Sequence, residues 1–142
     1  MSNSKTVQVY LAGACRGLPD EGRLWRHNVI VDFSKSYGYT DKKIIALDPT
    51  RFFARDGSDM VSNKQVKNYY MKTLIKNSDL VLVNLDNTAN SVGTGCELQY
   101  AECHEIPIVG FGGTDCYEWL PEYCDVIFKD LDEALEYIKE KY

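Results

Sequence analysis

At 142 residues the chain has the length of one domain, and residues 1–142 read as a single unit able to bury a core without staples. Its 44% hydrophobic and 26% charged residues are ordinary globular values, and a net charge of −5 excludes the basic face that a nucleic-acid backbone requires. No run reaches the ~18 apolar residues of a membrane helix, so no membrane partner is expected.

Five cysteines, Cys15, Cys96, Cys103, Cys116 and Cys124, make an odd set without CxxC spacing. That pattern suits neither a zinc site nor a disulfide framework, and it points to a reducing compartment, the cytoplasm. Residues 1–13 lack the basic and long apolar stretches of a signal peptide.

In chain order, residues 7–12 read as a buried strand. Residues 24–37 have helical spacing, with Leu24, Val29, Val31 and Phe33 as the apolar positions. Residues 43–47 form a second strand, and residues 63–77 a second helix with Val66, Tyr70, Leu74 and Ile75 inward. Residues 80–85 are the strongest strand. A helix over 94–104, strands at 106–110 and 126–128, and a closing helix over 131–142 complete the series. Continuous apolar strands alternating with helices predict a parallel sheet covered on both faces. Five strands predict an α/β, flavodoxin-like three-layer sandwich with a five-stranded parallel sheet in the order 2-1-3-4-5. Ligands of such sheets bind beyond the carboxyl ends of strands 1 and 3. The segment from Gly13 to Gly17 and the segment from Asp86 to Glu97 are therefore expected to face each other.

The first of these segments holds Gly13, Arg16 and Gly17. Its glycines permit a sharp turn, and Arg16 adds a planar fork for phosphate or carboxylate. An ordinary turn explains the glycines equally well. In the second segment, Gly93 and Gly95 allow close backbone approach, and Glu97 falls in the first turn of the expected helix. There the helix dipole favours an ionised carboxylate suited to nucleophilic attack. The same spacing fits a capping box with Thr94 as N-cap. Asp48, after strand 2, is either a ligand contact backed by Phe52 or Phe53, or part of a turn. Trp25 and Trp119 read first as core residues, with the wall of a pocket or a subunit interface as the other reading, and the cysteines as small apolar fillers.

Four segments together resemble one family. Val9-Tyr10-Leu11-Ala12-Gly13, Trp25-Arg26, Ser78-Asp79-Leu80-Val81-Leu82-Val83 and Gly93-Thr94-Gly95-Cys96-Glu97-Leu98-Gln99-Tyr100-Ala101 look like the nucleoside 2-deoxyribosyltransferases. They also resemble the related deoxynucleoside 5′-monophosphate N-hydrolases. The resemblance implies a homodimer or higher homo-oligomer, no metal and no organic cofactor. It implies a small-molecule nucleoside or nucleoside monophosphate as partner. It implies that Glu97 attacks C1′ of a deoxyribose, that Tyr10 positions Glu97, and that a second base or water resolves the glycosyl-enzyme. Read without the resemblance, Tyr10 is also an ordinary strand aromatic.

Two positions depart from the transferase pattern. Where the family usually carries Asp or Asn, eight residues before Asp79, this chain has Met71. Asn68, one helical turn earlier, is the nearest polar candidate, with Tyr69 and Tyr70 as others. Six residues before Glu97, where transferases carry an aspartate, stands Ser91, as in the monophosphate hydrolases. Ser91 and the Gly13-Ala14-Cys15-Arg16-Gly17 turn tilt the substrate toward a 5′-monophosphate. Met71 also motivates a reading as a nucleotide-binding or sensing protein without turnover.

Overall fold

The computed structural model describes residues 5–37, 42–53 and 61–142. Five strands, β1 (Lys5–Gly13), β2 (Lys42–Leu47), β3 (Leu80–Asn84), β4 (Ile108–Phe111) and β5 (Val126–Phe128), form one parallel sheet in the order β2-β1-β3-β4-β5. This is the flavodoxin-like order expected from the apolar runs.

Alternation along β1 divides the core. Val7, Val9 and Leu11 point to one face, where they join Val29 and Phe33 of α1 (Arg23–Tyr37) and Ala134, Leu135 and Ile138 of α4 (Leu131–Lys141). Tyr10 and Ala12 point to the other, with Leu74 and Ile75 and with Leu98 and Ala101 of α3 (Val92–Cys103). Each fully buried Leu or Val contributes roughly 1.5–3 kcal/mol, so burial on both faces holds the three layers together.

The second helix differs from its expectation. Only Asn63–Asn68 is α-helical, here α2; Tyr69–Ile75 continues it as a π-helix, closed by Lys76 N–H on the Met71 carbonyl at 3.0 Å. Ser62 and Gln65 cap α2 reciprocally, but α2 buries none of its residues. Leu74 and Ile75 alone carry the burial predicted for the stripe, and Val66 and Tyr70 are half-buried. A π-turn adds one residue to the turn, which a 3.6-residue period cannot show.

Strands β1 and β3 are neighbours, with Gly13 opposite Asn84. The chain therefore leaves both strands side by side at the switch point. No helix among the described residues is long and apolar enough to cross a membrane.

Candidate active site

Helix α3 buries Thr94, Glu97, Leu98 and Ala101, a spacing of three, four and seven residues that faces the sheet. Glu97 thus occupies a core position, and its side chain meets Tyr10 of β1. The Tyr10 hydroxyl donates a hydrogen bond to Glu97 Oε2. Tyr10 is fully buried and Glu97 retains 8% of its surface.

This placement corrects the expected start of the helix. α3 begins at Val92 with Ser91 as N-cap, so Gly93 and Gly95 are helical and Glu97 is the sixth helical residue. Thr94 is not the N-cap and Glu97 is not its capping partner. One turn further in, burial outweighs the helix dipole, which acts mainly within the first turn. Burial raises the Glu97 carboxyl to about 7, against the lowering effects of the Tyr10 hydrogen bond and the Arg26 charge. Burial, then the Glu97 charge, pushes the Tyr10 phenol well above its usual value, so Tyr10 stays a donor.

Arg26 lies on the inward stripe of α1 with Val29 and Phe33, and is 1% exposed. Its Nε donates to the Leu11 carbonyl at 3.2 Å, Nη1 to Gly22 at 3.0 Å and Nη2 to Gly13 at 3.0 Å. Asp48 Oδ1 stands 3.9 Å from Arg26 Nε and accepts from the Thr50 amide and hydroxyl at 2.9 and 2.6 Å. Its Oδ2 lies 3.1 Å from Arg51 Nε. Asp48 is 3% exposed, so its carboxylate anchors the exit of β2 rather than facing solvent.

A cavity of about 810 Å³ lies along the other side of α3. Asn68 and Met71 form part of one wall, Ser91, Gly95 and Cys96 another, and Trp119 and Tyr123 a third. Three predicted binding residues, Asn68, Ser91 and Gly95, thereby meet on one cavity. Glu97 is not on its wall; its predecessors Gly95 and Cys96 are. A side chain at Gly95 would meet only Leu120 Cδ2, at 3.8 Å, and one at Gly93 nothing within 4 Å. The helix is open at these two positions, while Cys96, Gln99, Tyr100 and Cys103 carry side chains to the same cavity. Ser91 shares a hydrogen bond with the Thr94 hydroxyl at 2.6 Å and accepts none from the amides of the first turn. Arg16 and Gly17 are exposed on the loop after β1. Trp119 is 64% exposed at the cavity rim, contrary to its reading as a core residue, whereas Trp25 packs edge-on against Phe111.

No family model matches the chain, and no curated protein matches its sequence. Solved structures do. A 2-desoxiribosyltransferase from Leishmania mexicana superposes with a TM-score of 0.70 at 19% identity, covering 96% of this chain and 99% of that one. The chain shares that enzyme's fold. A 2-deoxyribosyltransferase from Bacillus psychrosaccharolyticus gives a TM-score of 0.62 at 16% identity, over 92% of each chain. A conserved protein from Enterococcus faecalis V583 gives 0.73 at 14% identity, over 96% of this chain and 99% of that one. Likeness at these identities concerns the fold, and function is argued from the site.

Arg26 is the residue that sequence reasoning passed over. Its signal was a cation three and seven residues before Val29 and Phe33 on an otherwise apolar stripe. Of the cysteines, Cys124 fits the filler reading: burial first, then Asp125 and Cys116, pushes its thiol up to about 12.

Proposed function

We propose that the chain cleaves the N-glycosidic bond of 2′-deoxynucleosides or deoxynucleotides through a covalent glycosyl–Glu97 intermediate and passes the deoxyribosyl group to another base. The observation supporting this most is the Tyr10–Glu97 pair: a buried carboxylate beside the β1–β3 switch point, one oxygen held by a phenol. Tyr10 restrains the rotamer of Glu97, and orientation of this kind lowers a barrier by removing motion before the reaction.

In the first step an ionised Glu97 oxygen attacks C1′. The C1′–N bond breaks, its electron pair leaves with the base, and the base takes up a proton. The second base then attacks C1′ through nitrogen, loses its proton, and frees the carboxylate. A titration near 7 leaves Glu97 part-ionised at neutral pH and more basic than a solvated carboxylate. Low local dielectric strengthens its attraction for the oxocarbenium-like carbon. The sugar is proposed to enter from the cavity at the N-terminal end of α3, beside Asn68 and Ser91.

A second reading, hydrolysis of a deoxynucleoside 5′-monophosphate, draws on the N-terminus of α3. Ser91 leaves the first-turn amides without a side-chain cap, which suits an anion there, and exposed Arg16 adds a cation. A binding or sensing role without turnover draws on Met71, an apolar group on the cavity wall. We further propose a cytoplasmic homo-oligomer. Exposed Val92, Tyr117 and Trp119 around the cavity support self-association.

The test incubates the protein with deoxyinosine or deoxycytidine and a free acceptor base, and separately with the 5′-monophosphates alone. New nucleoside supports transfer, and free base from monophosphates supports hydrolysis. Binding without either product refutes both enzymatic readings.

A further inference from the structure

We propose that Arg26 is a positioning residue: one buried guanidinium ties both ends of the loop that follows β1 to the strand itself, and so fixes the exit of β1 at the switch point where ligands of such sheets bind. The inference rests on the proposed glycosyl chemistry and extends it to a residue that touches no reacting atom.

Burying a guanidinium is costly, and an apolar side chain between Trp25 and the Val29–Phe33 stripe would avoid that cost. The charge therefore asks for a purpose beyond packing. Arg26 commits three donors to the carbonyls of Leu11, Gly13 and Gly22. Gly13 opens the loop after β1, Gly22 closes it before α1, and Leu11 lies within β1, so a single planar group fixes all three. The site is shaped to receive it. Gly22 has a φ of 75°, and a Cβ there would fall 2.4 Å from Arg26 Nη1. The Arg26 guanidinium carbon also lies 4.8 Å from the centre of the Trp25 ring.

The charges around it favour a second consequence. Asp48 faces Arg26 from the exit of β2, but Arg51 shares its carboxylate. Two cations thus stand against Asp48. The groups acting on Glu97 are Tyr10 from β1 and Arg26 from α1. Tyr70, in the π-helical segment, acts on Tyr10. Arg26 is accordingly the cation that supports the anionic form of Glu97.

The test compares wild type with Arg26→Met and Arg26→Lys. Two quantities are read: the Glu97 titration midpoint in the free protein, by NMR of ¹³C-labelled glutamate carboxyls, and the KM and kcat for base release. Arg26→Met is expected to raise the midpoint by at least about half a pH unit, because a nearby cation is lost. Arg26→Lys keeps the charge but cannot bridge three carbonyls from one ammonium. Its midpoint is expected to stay at the wild-type value while KM rises at least about fivefold. A folded Arg26→Met with an unmoved midpoint, or an Arg26→Lys with wild-type KM, overturns the inference. Should Arg26→Met not fold, Arg26→Lys decides alone, since a purely structural role predicts no KM change at a preserved midpoint. If wild type releases no base from any nucleoside or monophosphate, the glycosyl chemistry fails. The midpoint comparison still judges the hold of Arg26 on Glu97.

Discussion

Replacing Glu97 with glutamine should stabilise the protein in alkaline solution and leave it unchanged in acid. Glu97 titrates near 7 in the fold, against 4.5 for an unperturbed glutamate. Below the unfolded value both states are protonated and the group is neutral in its effect. As pH rises toward 7 the unfolded chain loses the proton more readily, and native stability falls. Above the folded value the deficit is constant at about 3 kcal/mol, since each pKa unit is worth about 1.4 kcal/mol. A glutamine side chain cannot ionise, and its amide oxygen still accepts from Tyr10. The Glu97→Gln variant should therefore gain about 3 kcal/mol at about pH 8, or about 10 °C in Tm for a chain of this length, and nothing measurable at about pH 4. Urea and thermal unfolding across a pH series measure this. Equal stability at about pH 8, or a gain independent of pH, would refute the argument that burial raises Glu97.

Four further outcomes follow from the same geometry. Because attack needs the ionised carboxylate, kcat/KM should rise about tenfold per pH unit below about 7 and level off above it, as a pH–rate profile shows directly. Tyr10→Phe keeps the ring in the core but loses the hydroxyl; kcat should fall about 10–100-fold with little change in KM, measured by steady-state kinetics. Gly95→Leu should project into the cavity and lower kcat/KM at least about 100-fold, whereas Gly93→Ala should retain activity and stabilise the helix by up to about 1 kcal/mol, checked by kinetics and melting. Arg16→Ala should weaken binding of a 5′-monophosphate about tenfold and of the nucleoside little, by calorimetry; equal losses contradict a phosphate role.

The sheet was legible because its strands centre on apolar runs, such as residues 80–83, set between turn residues. Helix boundaries were less so. The sequence starts this helix at Thr94, yet the fold begins α3 at Val92 and takes in Gly93, which moves Glu97 from the first turn to a buried second turn. Local capping patterns cannot reveal that, because tertiary packing decides which helix face turns inward. The informative signs were misfits: a glutamate in step with Leu98 and Ala101, and an arginine in step with Val29 and Phe33. Each is a charge where periodicity asks for an apolar group. The π-turn at Tyr69–Ile75 left no such sign. Trp119 shows the reverse error, since size and apolarity suggest burial but the fold leaves it on the cavity rim.

The most direct measurement is the mass of the protein after acid quenching during reaction with a deoxynucleoside or its 5′-monophosphate. The account predicts an increase of one deoxyribosyl or deoxyribosyl-phosphate group, mapped by peptide sequencing to Glu97 and absent in Glu97→Gln. Base release with the adduct on another residue, or turnover by Glu97→Gln at the wild-type rate, would contradict it.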